Sequence, residues 1–174
     1  MRSTRGSPRW FDARGDRGTV EGPMRSTGHR RVREATAARY EVEASPPELT
    51  GVLLDSDVVI EVLRGRKAIV DALLALEACG VATFTCGVVV AEILAGLRVG
   101  EEAATESFFH ARGDIVIDGT TGRRAGNYLA RYARSHGVEI ADALVAAAAA
   151  TTGLRLWTLN RKHYPMRDVR FVEA

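Results

Sequence analysis

The sequence predicts an α/β fold in which a mostly parallel sheet is covered by helices on both faces. Two observations predict it. From Val52 onward, short apolar runs alternate with longer segments of helical period. The apolar runs are also continuous rather than alternating, as strands buried on both faces require.

The first strand is the run VLLD at 52–55, closed by an acid. SDVVIEVLRG follows as a helix capped by Ser56 or Asp57 and ended by Gly65. Residues 67–78 place Ile69, Leu73 and Leu76 at helical spacing, Gly80 stops them, and 81–85 form a second strand. Gly87 opens a helix through Val99, and a further helix runs from Glu101 to about Arg112. A strand at 115–117 and a long helix over about 120–135 come next. The segment 139–152 is apolar nearly all round, which marks a buried helix. Strands at 154–159 and 169–172 close the pattern. In such sheets, sites lie beyond the carboxyl ends of strands, and Asp55 occupies that kind of position.

The 174 residues, 46% of them hydrophobic, amount to one domain with a sizeable core. The net charge of +2 hides an asymmetry, with ten Arg against seven acids up to residue 51 and fourteen bases against fifteen acids after it. Residues 1–51 carry Gly, Pro, Ser, Thr and Arg without periodicity, so they read as a disordered or non-native extension. The alternative is a basic arm for nucleic acid, built on Arg30, Arg31 and Arg33. The domain proper is 52–174. Cys79 and Cys86 sit among small and apolar residues, as buried free thiols do in a reducing compartment. No apolar run is long enough to span a membrane and no secretory signal is present, so the expected setting is cytoplasmic.

Three acids stand out. Glu92 shares its helical face with Val88, Ala95, Gly96 and Val99, and Asp142 shares its own with Val145, Ala146 and Ala149. Taken singly, each acid has an ordinary explanation: Asp55 as a turn residue, Asp142 in a first helical turn where the dipole favours acid, Glu92 paired with Arg98 or another arginine. Jointly they follow or begin elements that converge on one end of a parallel sheet, with few bases in the adjoining segments. A shared divalent cation reconciles them most simply. An all-oxygen, carboxylate-rich set suits Mg²⁺ or Mn²⁺ rather than zinc. The four His are scattered and no HExxH, GxSxG, P-loop or dinucleotide fingerprint occurs. Acid-bound Mg²⁺ serves phosphoryl chemistry, activating a water as nucleophile.

These residues resemble the PIN-domain ribonucleases, specifically VapC-type toxins of bacterial toxin–antitoxin pairs. The resemblance covers 52–174. It is carried by LLDSDVVIEVLRG around Asp55, VVVAEILAGL around Glu92, EIADALVAAAAATTGLRLWTLN around Asp142, and the closing NRKHYPM. It implies a three-layer α/β/α domain, Mg²⁺ coordination by Asp55, Glu92 and Asp142, and a fourth site position at Asn160. That family position varies between Asp and Asn; the Asn here adds no charge, which disfavours a permanently bound second ion. Asp57 resembles a supporting position that is often Asn, Ser or Thr, and reads either as a cap or as a supporting ligand. Thr158 reads as support, His163 and Tyr164 as packing residues.

The resemblance further implies a homodimer, a small antitoxin partner covering the active-site groove, and structured RNA cut at single-stranded loops. An acidic site repels RNA unless cations and surface bases compensate. Arg161 and Lys162, flanking Asn160, are the candidate RNA contacts; Arg124, Arg131 and Arg134 form a helical stripe read as a solvated face. Two other classes compete. A phosphoacceptor receiver domain would use an acid such as Asp118 ending a third strand, but neither Lys67 nor Lys162 suits its lysine. A PIN-like module could bind RNA or a partner without cleaving.

Overall fold

The computed structural model describes residues 50–173. Apart from Thr50 and Gly51, the expected 1–51 extension lies outside the described residues. The elements are β1 (Val52–Leu54), α1 (Ser56–Leu63), α2 (Lys67–Ala78), β2 (Thr83–Cys86), α3 (Gly87–Ala95), α4 (Glu102–His110), β3 (Gly113–Ile115), α5 (Gly119–His136), α6 (Ile140–Thr152), β4 (Arg155–Trp157), a 3₁₀ turn (Arg161–His163) and β5 (Arg170–Phe171).

All five strands are parallel, in the order β3-β2-β1-β4-β5. Leu53 pairs with Phe84 on one side and Leu156 on the other. Val52, Leu53 and Leu54 are wholly buried, so the central strand is covered on both faces, which is why its sequence is a continuous apolar run. α6 buries Ala143 and everything from Val145 to Ala149 and packs against α5; its small side chains permit that close approach. The chain leaves β1 toward β2 and leaves β4 toward β5, so the connections diverge between β1 and β4. That divergence makes the crevice where α/β sheets place their sites. The flavodoxin-like order 2-1-3-4-5 of receiver domains is absent. Asp118 is not a phosphoacceptor position but the cap of α5, accepting from the Thr121 N–H at 2.8 Å.

Several boundaries differ from the sequence expectation. The third strand begins at Gly113, two residues early, because Gly113 pairs with Phe84 and lets the aromatic ring lie against its Cα. The cap of α1 is neither Ser56 nor Asp57 but Asp55, whose backbone is still extended while its side chain accepts from Ser56. α3 ends at Ala95 rather than Val99, which is fully exposed. Cys86 is buried as expected, but Cys79, capping α2, is exposed. Among the described residues no helix is long and apolar enough to cross a membrane.

Candidate active site

Strand β1 delivers Asp55 to the crevice, and because Asp55 also caps α1 its carboxylate cannot drift from the sheet end. Ser56 N–H donates to Asp55 Oδ1 at 2.9 Å and the Tyr164 hydroxyl to Oδ2 at 2.7 Å. Two residues on, Asp57 turns toward β4. Its Oδ2 accepts from Thr158 Oγ1 at 3.2 Å and Leu159 N at 3.0 Å, while Thr158 Oγ1 accepts from Asn160 N at 3.0 Å. Asp142, third residue of α6, accepts from Glu139 N through Oδ2 at 3.1 Å in a reciprocal capping box.

One cleft of about 120 Å³ is lined by Asp55, Asp57, Glu92, Asp142 and Asn160, together with Ser56, His163 and Tyr164. The three acids singled out in the sequence, and Asn160, are therefore brought together; Thr158 stands behind them, buried. Glu92 arrives differently from the expectation. The apolar stripe it shares with Ala95 and Val99 faces solvent, and α3 buries Val89 and Ile93 instead, so Glu92 stands at the open rim.

The electrostatics are those of crowded like charges. Partial burial first, then Asp55, Asp142 and Glu139, push the Glu92 carboxyl above the usual carboxylate range, with the Ser56 hydroxyl pulling the other way. Burial and then Asp55 likewise raise Asp57. Burial and the adjacent Asp55 hold the Tyr164 phenol protonated and hence a donor. Among the described residues no Lys or Arg forms an ion pair with Asp55, Asp57, Glu92 or Asp142; the imidazole of His163 places Nδ1 3.7 Å from Asp142 Oδ2.

Could these residues hold a divalent cation? The donors are all oxygen, the charge lacks bases to neutralise it, and Asp57 Oδ1 is buried without a hydrogen-bond partner. The set fits. It is not preassembled, however: among the described residues no three His, Cys, Asp or Glu side chains already stand in a ligating arrangement. The backbone bond from Glu139 N holds Asp142 Oδ2 at the head of α6.

Four further residues singled out in the sequence follow Asn160, and they divide between the cleft and its outer flank. Arg161 does not face the cleft: its guanidinium donates to the Val172 carbonyl and lies 5.2 Å from the Phe171 ring centroid. Lys162, beside it, is exposed. His163 and Tyr164 are not mere packing residues, since both line the cleft and face its acids.

An all-parallel α/β domain with carboxylates gathered at its topological switch point has the layout of the α/β folds that hold their ligands in a crevice beyond the strand ends. Residues 52–170 match the PIN domain model, and the chain belongs to the PIN-domain family. It is similar to ribonuclease VapC19 of Mycobacterium tuberculosis, 35% identical over 115 residues that cover 66% of this chain and 92% of the relative. Ribonuclease VapC10 of the same organism is 35% identical over 116 residues, covering 66% and 86%. Among solved structures, the DNA-bound VapBC of Salmonella typhimurium superposes with a TM-score of 0.61 at 18% identity, covering 71% of this chain and 98% of that one. VapBC2 of Rickettsia felis, bound to a promoter DNA fragment, gives 0.60 at 16%, covering 70% and 96%. At such identities the solved structures speak for the fold.

Proposed function

We propose that this protein is a Mg²⁺-dependent endoribonuclease, the toxin of a VapC-type toxin–antitoxin pair, cutting single-stranded regions of structured RNA. The observation that carries the reading is the gathering of Asp55, Glu92 and Asp142 in one cleft among the described residues without a neutralising arginine or lysine. Similarity to two proteins named ribonucleases supports the same reading. Asp55, Glu92 and Asp142 would hold Mg²⁺, with Mn²⁺ as a substitute. Bound there, the cation supplies an activated water and offsets the charge of a scissile phosphate. The chain's own part is to fix the carboxylates: Ser56 and Tyr164 orient Asp55, Glu139 N holds Asp142, and the Asp57–Thr158 pair sets the backbone that presents Asn160.

A groove of about 240 Å³ shares Glu92 with the cleft and is lined by Ile60, Leu63, Ile93 and Leu97, with Arg64 and Arg98 among its polar residues. An apolar segment of a small antitoxin suits it, and a homodimer is the assembly proposed. In the test, purified full chain is incubated with total RNA, with and without Mg²⁺, and cleaved ends are sequenced. The chain is also expressed alone and beside the product of the adjoining gene. Mg²⁺-dependent cuts in unpaired loops, and growth arrest relieved by the neighbour, are expected. Intact RNA at all Mg²⁺ concentrations would leave a binding module instead.

A further inference from the structure

We propose that Tyr164 is the positioning residue for Asp55, its hydroxyl holding one carboxylate oxygen so that the remaining lone pairs face the cleft in a single orientation. The inference rests on the metal reading above and deepens it.

Asp55 is the one acid of the cleft with a donor on each oxygen: Ser56 N–H on Oδ1 at 2.9 Å and the Tyr164 hydroxyl on Oδ2 at 2.7 Å. The first comes from the adjoining residue and follows from the capping geometry. The second comes from 109 residues away, and with both in place the plane of the carboxylate is set. A single neutral donor suits this task. Each carboxylate oxygen has two lone pairs, so one hydrogen bond per oxygen leaves both oxygens able to meet a cation. An arginine in the same place would neutralise the charge that attracts it.

The tyrosine itself is immobilised. Its side chain is 4% exposed and its ring meets Phe171 edge-on, with centroids 6.4 Å apart and planes at 70°. Phe171 belongs to β5, which pairs with β4, so the hydroxyl is referenced to the same sheet that carries Asp55. Partners that orient a metal ligand in this way are worth roughly ten- to a hundred-fold in affinity or activity when removed.

The test is Tyr164→Phe in the full chain, which deletes one oxygen and keeps the ring. Tyr128→Phe serves as the comparison, because Tyr128 also donates to a carboxylate, Asp168 Oδ2 at 2.6 Å, but does not line the cleft. Mg²⁺ binding is measured by calorimetry, and cleavage is followed as a function of Mg²⁺ concentration. Tyr164→Phe should weaken Mg²⁺ binding on the order of ten-fold and raise the half-saturating Mg²⁺ by the same factor, with cleavage largely recovered at high Mg²⁺. Tyr128→Phe should move neither. In an Asp55→Asn background, Tyr164→Phe should weaken Mg²⁺ binding no further.

Unchanged or tighter Mg²⁺ binding by Tyr164→Phe would overturn the proposal, as would equal losses in both phenylalanine variants. A Tyr164→Phe chain that does not fold overturns it as well, since a positioning contact carries no such share of stability. If the unmodified chain binds no Mg²⁺, the metal reading fails first and this inference with it.

Discussion

Leu159 donates its main-chain N–H to Asp57 Oδ2 at 3.0 Å, tying the first turn of α1 to the segment after β4 across 102 residues. Thr158 adds its hydroxyl to the same oxygen and takes the Asn160 N–H, so the position of Asn160 depends on a carboxylate that is not itself among the three conspicuous acids. Asp57→Ala should therefore cost about 1–3 kcal/mol, the penalty for leaving partly buried donors unpaired. Asp57→Asn keeps an acceptor oxygen and discards the charge that burial and Asp55 oppose. It should match or exceed the unmodified chain in metal-free denaturant unfolding at neutral pH. Equal losses in both variants would show that the charge, not the acceptor, is what the segment needs.

Glu92 carries a pH signature. Its carboxyl is raised in the folded chain, so between its unfolded and folded values the native state binds more protons than the unfolded one. Stability from this group is complete below the ordinary carboxylate range and is lost as pH rises through the elevated folded value; Asp57 acts in the same direction. Metal-free melting temperature measured from pH 4 upward should thus fall less in Glu92→Gln than in the unmodified chain. A Glu92→Gln curve parallel to the original would place Glu92 outside the repulsive cluster.

Asp55, Glu92 and Asp142 should behave as one unit. Replacing any of them by Asn or Gln should abolish RNA cleavage, and combining two should add little, because groups acting together are grossly non-additive. Stabilisation by added Mg²⁺ follows RT ln(1 + [Mg²⁺]/Kd) and should shrink in each single variant, while metal-free stability holds or rises in Glu92→Gln, whose carboxyl is raised by its acidic neighbours. Asn160→Ala should be milder, and Asn160→Asp should tighten Mg²⁺ binding by adding charge. Thermal melts with and without Mg²⁺, run beside cleavage, decide the matter; a Glu92→Gln chain retaining both activity and Mg²⁺ response would remove Glu92 from the site.

Much of this was legible from the residues because each signal was local. VLLD ends in an acid at a strand terminus, and the Ala-rich 143–149 run could only be a buried helix. What escaped depends on long-range geometry. Nothing near Tyr164 in the chain reveals that its hydroxyl meets a residue 109 positions earlier, and nothing near Arg161 reveals that Phe171 and Val172 take its guanidinium. The apolar stripe around Glu92 misled for a related reason: helical spacing identifies a face but not whether that face is covered, and here Val89 and Ile93 carry the burial.

Gly51 and Val52 make the first described main-chain bonds of the sheet, Arg155 N–H to Gly51 O at 3.2 Å and Val52 N–H to Ala82 O at 3.0 Å. A chain beginning at Thr50 retains both. It should cleave RNA and unfold as the full chain does, whereas one beginning at Val52 loses the Gly51 carbonyl and should be less stable by about 1 kcal/mol. Loss of cleavage in the Thr50 chain would assign a working role to the preceding residues.

The pairing of Phe84 with Gly113 yields a prediction about the sheet itself. A Cβ on Gly113 would stand within 2.6 Å of both Cδ1 and Cε1 of Phe84, and that ring is held by its place in β2 beside the central strand. Gly113→Ala must push the aromatic side chain or bend β3, and overpacking of this kind costs about 1–3 kcal/mol. Phe84→Leu should vacate part of the space at the cost of lost apolar contact. In combination the two substitutions should then cost less than their separate effects added together, a coupling expected only between residues in contact. Chemical denaturation of the two single variants and the double variant measures that coupling. Strict additivity would show that β3 yields instead of Phe84, and that the early start of the third strand has another cause.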